Sequence, residues 1–335
     1  NNLVSTLLLI ASTNLFVLAG KVHQTANAES IFSWSQEFPK TQFSKSSVQL
    51  SEIKSDGPKR DTIPPINNPR FISVKDIIGI GDLEPVLSVE LEGDLRAYPL
   101  QILLWHEIVN DRVNNVPILV SYCPLCNSGV VFDRRLEGRT IVFGNTGRIR
   151  HFDMVMYDLE TESWWQQFVG EAIVGSLTGK KLEIIPARLE SLARFRSRGE
   201  HGKVLVPNEP TARPYGTSPF AGTDSARVPA DRYPYPILEG MNPFDRVVVV
   251  GRNAWPLTIV RKKGELKYQD LVITWLPGQN SLHDKRRISE GRDVGNVLVR
   301  RNTEKGYIEV AYDITFVFAF SAFVPEGHVH TGSME

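Results

Sequence analysis

The sequence predicts a β-rich α+β fold with two related β-rich halves joined by a long proline-rich connection. Three observations lead to this prediction: short apolar runs bounded by turn-forming residues, few segments as long as an average helix, and seven prolines between residues 207 and 236. The 335 residues include 38 Lys+Arg and 38 Asp+Glu, so the formal charge is zero. This balance argues against a nucleic-acid-binding protein, which usually carries a surplus of basic residues.

Residues 1–28 predict a signal peptide, because an apolar run over residues 3–19 is followed by the small-x-small sequence Ala26-Asn27-Ala28. An uncleaved N-terminal anchor is the alternative, since the run has nearly the length of a bilayer span. No later segment is long and apolar enough to span a membrane, so we expect an exported protein, periplasmic or extracellular. Residues 29–62 are rich in Ser, Lys and Gln and predict a flexible lead-in.

Residues 63–206 form the first predicted half. Strands are predicted over residues 86–91, 118–122, 130–133, 140–143 and 154–157, where β-branched and aromatic residues are bounded by turn formers. Pro99 suits the first turn of a short helix that contains Leu100, Leu103 and Leu104. A second helix is predicted over residues 189–198.

The second half, residues 237–330, follows the proline-rich connection at 207–236. Residues 86–89 and 97–100 of the first half have counterparts at 247–250 and 254–257, where an apolar strand again precedes an aromatic-Pro-Leu sequence. This similarity predicts a degenerate internal duplication, and chance similarity among short strands is the alternative. The second half has no counterpart of the cysteine pair described next.

The two cysteines of the chain lie in the sequence Cys123-Pro124-Leu125-Cys126, so a disulfide-rich scaffold is excluded. An apolar strand precedes the pair and another follows it, and Asn127 tolerates the left-handed conformation that a tight turn requires. The pair has three competing uses: a metal knuckle, a reactive dithiol, and a structural disulfide or two buried thiols.

A metal site would need further ligands, and His106 in Trp105-His106-Glu107 is the best candidate beside Cys123 and Cys126. In an exported protein, two thiolates and an imidazole suit copper(I) first and zinc second. The alternative for His106 is a core histidine bonded to a neighbour. His283 lies in a polar loop and gives no signal of a site.

A redox-active pair would use Cys123 as the attacking thiol and Cys126 as the resolving one. The polar residues that could assist catalysis are Glu107, Asp133 and Arg134, the last two at the end of the strand after the cysteines. A solvated, charged strand end is the alternative for Asp133 and Arg134. The sequence contains none of the usual motifs for nucleotide binding, hydride transfer or serine hydrolysis.

Several motifs together resemble a single family. They are Ile63-Pro64-Pro65-Ile66-Asn67-Asn68-Pro69, Arg96-Ala97-Tyr98-Pro99-Leu100, Trp105-His106-Glu107-Ile108-Val109-Asn110-Asp111, Tyr122-Cys123-Pro124-Leu125-Cys126-Asn127 and Val155-Met156-Tyr157-Asp158. Over residues 63–323 the chain resembles the exported bacterial and archaeal family catalogued as domain of unknown function 3179. The resemblance implies secretion and a shared site around His106, Cys123 and Cys126, and it implies no particular reaction.

Three functions are therefore expected as alternatives. The first is an exported protein that binds copper or zinc through Cys123, Cys126 and His106, as a metallochaperone or a metallo-redox protein. The second is a thiol–disulfide oxidoreductase that uses the same two cysteines. The third is a non-catalytic module that binds a protein partner, a small molecule or a glycan, with nucleic acid excluded as a partner.

Overall fold

The structure is a computed structural model that describes residues 28–54, 57–227 and 235–332. The predicted signal peptide lies outside the described residues except for Ala28. The fold is β-rich, with 40% strand and 15% helix. The helices are α1 (Ala28–Glu37), α2 (Leu100–His106), α3 (Leu192–Arg198), α4 (Leu257–Lys263) and α5 (Val317–Phe323).

The strands form several small sheets. They are β1 (Ile53–Lys54), β2 (Arg70–Ser73), β3 (Pro85–Leu91), β4 (Asp94–Pro99), β5 (Ile108–Val113), β6 (Val116–Cys123), β7 (Ser128–Asp133), β8 (Arg135–Leu136), β9 (Arg139–Thr140), β10 (Phe143–Arg150), β11 (Asp153–Asp158), β12 (Trp164–Gln166), β13 (Glu171–Val174), β14 (Ile184–Ile185), β15 (Arg188–Ser191), β16 (Lys203–Val206), β17 (Arg246–Val250), β18 (Asn253–Pro256), β19 (Glu265–Tyr268), β20 (Leu271–Leu276), β21 (Asn296–Thr303), β22 (Gly306–Glu309), β23 (Asp313–Phe316) and β24 (His328–Val329).

The N-terminal part of the chain contributes three of the larger sheets, with the strand orders β15-β3-β4-β16-β2, β14-β7-β6-β5 and β1-β10-β11-β12-β13. The C-terminal part contributes two, with the orders β23-β17-β18-β24 and β19-β20-β21-β22. The sheet that contains β4 has one parallel pair, β4 with β16. The sheet that contains β18 also has one, β18 with β24. The remaining pairs in these sheets are antiparallel.

Most of the predicted elements are present. Strands β3, β6, β7 and β11 cover the predicted runs, and α2 begins directly after Pro99. The predicted strand at 140–143 is wrong, because β9 ends at Thr140 and β10 begins at Phe143. The predicted helix at 189–198 is correct only for its second part, since residues 188–191 pair with β3 before α3 begins.

The described residues 30–54 include apolar side chains that pack against the sheets, although composition predicts a flexible lead-in over residues 29–62. Trp34 and Phe38 are fully buried against Trp164 of β12, with ring centroids 5.2 and 5.3 Å from the indole. Ile53 is also buried and extends the sheet as part of β1, beside β10. These few apolar residues therefore anchor the segment to the sheets. The average composition of the segment is polar and does not reveal them.

The apolar core is shared by both parts of the chain. The largest buried cluster contains Leu87 and Tyr98 from the first part, together with Val248 and Trp255 from the second. Tyr215 and Phe220 of the described residues 207–227 pack against this core. The same stretch contains one short 3₁₀ helix (Thr223–Ser225) and an isolated bridge from Thr217 to Arg287. In the part of the chain that the structure describes, no helix has the length and apolarity needed to cross a membrane.

Candidate metal centre

The two cysteines lie in a tight turn between antiparallel strands. Strand β6 ends at Cys123, β7 begins at Ser128, and these two residues are register partners. Asn127 has a φ of 54°, so the left-handed conformation expected for this turn is present. Both cysteines are buried free thiols. Because a strand and not a helix follows, no helix dipole lowers the pKa of Cys123 as it does in thioredoxin-type pairs.

A second turn, between β10 and β11, lies against the thiols. Arg150 pairs with Asp153, and the two intervening residues, His151 and Phe152, have φ values of 54° and 65°. The Phe152 carbonyl oxygen lies 3.3 Å from Cys126 Sγ and 3.7 Å from Cys123 Sγ. Positive φ at two bulky residues costs backbone energy, so the surrounding structure holds this turn in place.

Asp153, the residue after this turn, completes a cluster with the two cysteines. One carboxylate oxygen and the two sulfurs all lie within 4.8 Å of one another, and the three residues are buried. Oδ2 accepts hydrogen bonds from Gln166 Nε2 at 2.6 Å and from the Phe168 N–H at 2.9 Å. Oδ1 is buried and has no hydrogen-bond partner among the described residues. Thiolates and carboxylates are established ligands of transition metals, so this group could hold a metal ion once its thiols lose their protons.

Glu107 lies beside the cluster. It ends α2 in the left-handed conformation, with a φ of 56°, and its carbonyl oxygen accepts the Tyr122 N–H at 2.9 Å. This places the residue next to the strand that carries Cys123. The buried Oε2 accepts a hydrogen bond from Asn145 Nδ2 at 2.5 Å.

Burial dominates the electrostatics of the site. It raises the pKa of Asp153 to about 7 and that of Glu107 to about 8, and hydrogen bonds from Gln166 and Asn145 offset this only in part. Burial also raises the pKa of the Cys123 thiol, and it raises that of Cys126 well above its ordinary value. Among the described residues, the charges with the largest influence on these four pKa values belong to other acidic groups, and no Lys, Arg or His is among them.

His106 occupies a different place from the one the sequence suggested. Its Nδ1 lies 2.8 Å from the Pro64 carbonyl oxygen, and its Nε2 lies 2.9 Å from Tyr215 Oη. Both ring nitrogens thus have partners, and the described cluster contains Asp153 where His106 was expected. The contacts of His106 are those of the bonded histidine that was the alternative.

Asp133 and Arg134 also have partners away from the thiols. Asp133 forms an ion pair with Arg135, and this pair outweighs burial and lowers the pKa of Asp133. The Arg134 guanidinium donates to three carbonyl oxygens, those of Asp111, Ile118 and Ile141. These contacts join β7 to β5, β6 and the following loop.

Sequence reasoning missed Asp153, although one signal was available. The predicted strand after it is apolar on both faces, and an acidic residue at the start of such a strand is costly to bury unless it has a specific role. Sequence reasoning also missed His283, which is fully buried beside the cysteine turn. Its polar sequence neighbours gave no comparable signal.

Comparison with known proteins identifies the family. No curated protein and no solved structure is significantly similar to the chain. The model of a protein family described as "Protein of unknown function (DUF3179)" matches residues 60–327, which include every residue of the cluster. The chain therefore belongs to this family, as its motifs suggested.

Proposed function

We propose that this protein binds a transition-metal ion through Cys123, Cys126 and Asp153. The proposal rests on one observation: the two cysteine sulfurs and one carboxylate oxygen of Asp153, all in buried residues, lie within 4.8 Å of one another. Burying several anions without a cation is strongly unfavourable, so in the absence of metal these groups retain protons. A bound cation replaces the protons and supplies the missing positive charge. The unpartnered Oδ1 of Asp153 is consistent with such a role.

The ligand set favours zinc over the copper that the sequence suggested. Two thiolates suit both copper(I) and zinc, but a carboxylate oxygen is a common zinc ligand and is harder than the ligands that copper(I) prefers. Burial of all three ligands also favours a resident metal over a metallochaperone, which must release its cargo.

Metal analysis of the full chain tests this proposal. The protein is purified under reducing conditions, reconstituted separately with Zn²⁺ and Cu⁺, and assayed for metal by mass spectrometry. We expect one equivalent of metal in the wild type and at least a tenfold loss of affinity in Cys123→Ser, Cys126→Ser and Asp153→Asn. Asp133→Asn is the matched control, because it removes a carboxylate outside the cluster. A wild type that retains neither metal refutes the proposal.

The raised pKa values of the thiols count against the thiol–disulfide alternative, because the thiolate is the attacking species. This alternative would require a reduction potential well above that of a structural disulfide. Measurement of the potential against glutathione therefore distinguishes it from metal binding.

We also propose that the protein is exported, on the basis of the apolar run and the small-x-small sequence at residues 1–28. Fractionation of cells that express the full-length coding sequence provides the test. Recovery in the periplasm or medium would show cleavage and export, recovery at the outer face of the membrane would show the anchor, and recovery in the cytoplasm would refute export.

A further proposal concerns the origin of the fold: the two parts of the chain derive from one duplicated unit. The order β15-β3-β4-β16 matches β23-β17-β18-β24, including the position of the parallel pair. The order β5-β6-β7-β14 likewise matches β19-β20-β21-β22, and α2 and α4 occupy the same place in the chain order. In an experimental structure of a family member, one rotation should superpose these elements, and failure to do so would contradict the duplication.

A further inference from the structure

The connection between β20 and β21 lies against the cysteine turn. This connection, residues 277–295, contains His283, whose side chain is fully buried. His283 Nε2 lies 2.7 Å from the carbonyl oxygen of Pro124, the residue between the two cysteines on the Cys123 side. A residue about 160 positions away in the chain therefore holds the backbone between the sulfurs.

The neighbours of His283 determine its protonation. The Pro124 carbonyl is an acceptor, so Nε2 carries the hydrogen and donates it. On the other side of the ring, Arg246 Nη2 approaches Nδ1 at 3.4 Å, and a guanidinium is only a donor, so Nδ1 accepts. Arg246 is in turn fixed by an ion pair with the buried Asp224 and by a 2.9 Å hydrogen bond to Ser281 Oγ. A neutral imidazole with one defined tautomer is thus oriented toward the cysteine turn.

Strand β23 holds the other end of the same turn. The Cys126 carbonyl oxygen accepts two hydrogen bonds, from Thr315 Oγ1 at 2.7 Å and from the Phe316 N–H at 2.9 Å. Asn127 Nδ2 donates to the Ile314 carbonyl oxygen at 2.7 Å. The second part of the chain therefore contacts the turn both between the cysteines and directly after them.

We propose that His283 and Thr315 are positioning residues for the thiol pair: they hold the carbonyl groups of Pro124 and Cys126 and so fix the distance and direction of the two sulfurs. Neither residue touches the sulfurs in the described contacts, so both act through the backbone of the turn. The part of this inference that concerns metal rests on the proposed function. The part that concerns the thiols does not.

Four variants of the full chain test the inference. His283→Leu fills the space of the ring but removes the donor, and Thr315→Val removes the hydroxyl without changing the shape of the side chain. His283→Gln retains a donor for the Pro124 carbonyl. His330→Leu is the control, because His330 is a half-buried histidine of the second part with hydrogen-bond and ring contacts of its own, to Asn253 and Trp255.

The first readout is the visible spectrum and affinity of the Co²⁺-loaded protein, since the thiolate-to-cobalt bands depend on ligand geometry. We expect His283→Leu and Thr315→Val to shift these bands and to weaken Co²⁺ binding by at least tenfold, as is typical for residues that orient metal ligands. His283→Gln should lie nearer the wild type, and His330→Leu should match it. Unchanged bands and affinity in the first two variants would overturn the inference.

The second readout is the rate of thiol alkylation by iodoacetamide in metal-free protein, with folding monitored by circular dichroism. Loss of the hydrogen bond from His283 or from Thr315 should loosen the turn and increase the rate at least tenfold over the wild type and over His330→Leu. If the wild type binds no Co²⁺, the proposed function fails, while this rate still decides the role of His283 and Thr315. Equal alkylation rates in all folded variants would refute that role. If His283→Leu does not fold, the alkylation rate of Thr315→Val is compared with the wild type instead.

Discussion

At the scale of single residues, Glu107 and Asp153 have the same property: each is a buried carboxyl group with a raised pKa. Burial is the largest influence on both groups, and other acidic groups add to it, so the ionised form of each is disfavoured. The folded protein therefore binds protons at a pH where the unfolded chain has released them. This difference links the stability of the metal-free protein to pH.

We predict that metal-free protein loses stability as the pH rises. An acid whose pKa is raised on folding contributes its full stabilisation below the unfolded pKa, near 4, and loses it as the pH passes the folded values of about 7 and 8. Burial lowers the pKa of His151 and of His283 to about 4, and this opposes the trend up to about pH 6.5. The free energy of unfolding should therefore fall between about pH 7 and 8, and urea titrations at each pH in this range measure it. A constant or rising value would contradict the raised pKa values.

Glu107→Gln provides the matched test of this linkage. The neutral amide keeps the shape of the side chain and has no proton to release, so the variant should be more stable than the wild type at pH 8 by on the order of a few kcal/mol. At pH 5 the two should differ little, because Glu107 is then protonated in the folded wild type. Metal binding should show the opposite trend and strengthen with pH, since the ligands must lose protons.

At the scale of elements, an irregularity in β10 positions Asn145 for its contact with Glu107. The pairing of β10 with β11 shifts register between Asn145 and Arg148, which leaves two residues bulged. One of them is Gly147, with a φ of 73° and no room for a side chain, since an added Cβ would lie 1.9 Å from the Pro58 carbonyl oxygen. The bulge therefore depends on glycine for both its conformation and its packing.

Replacement of this glycine should destabilise the protein more than an equivalent replacement elsewhere. Gly147→Ala combines a left-handed conformation with the contact to Pro58, whereas Gly179→Ala has a similar φ of 86° and no atom within 4 Å of the added Cβ. Gly179→Ala should cost about 1–2 kcal/mol, and Gly147→Ala about 1–3 kcal/mol more. Urea denaturation of both variants measures the difference, and equal costs would show that the bulge relaxes.

At the scale of the whole molecule, the two parts of the chain depend on each other. Ser128 and Gly129 of β7 donate to the Asp313 carboxylate at 2.5 and 3.1 Å, so β23 supports the strand that follows the cysteines. In the opposite direction, the Ser191 N–H at the end of β15 donates to Asn296 Oδ1 of β21 at 2.7 Å. Each part thus completes buried polar contacts of the other.

We expect the fragment 28–206 to lack a cooperative fold by itself. Separation would leave Asn127, Ser128 and the Cys126 carbonyl without their buried partners, and unpartnered buried polar groups are costly. Circular dichroism during thermal unfolding measures cooperativity, and alkylation measures protection of the thiols. Addition of the fragment 207–332, which retains the buried partner of Arg246, should restore both properties. A fragment that unfolds cooperatively with protected thiols would contradict this interdependence.

Local features of the site could be predicted from the sequence because they depend on neighbours in the chain. The strands on either side of the cysteines follow from β-branched runs, and the left-handed Asn127 follows from the demands of a tight turn. The start of α2 after Pro99 follows from the fixed φ of proline. Glu107 was named in advance only as a polar residue that could assist catalysis, and that role stays a prediction.

The partners of the cysteines could not be predicted in the same way. Asp153 reaches them through a hairpin 30 residues further along, and His283 reaches the turn between them from the connection between β20 and β21. His106 is nearer in sequence, yet Pro64 and Tyr215 bind both of its ring nitrogens. Residue type and spacing identify a candidate ligand, but they do not show which of several candidates faces the sulfurs.

The sequence by itself therefore determined the β-rich class, the family and the strand–turn–strand setting of the two cysteines, because these depend on local propensity and on short motifs. Only the tertiary structure decided which acidic group joins the thiols and which residues of the second part hold their turn. The physical reason is that these contacts join segments that are far apart in the chain and that the packing of the sheets brings together. The shared core decides which segments meet, and the periodicity of the sequence does not show it.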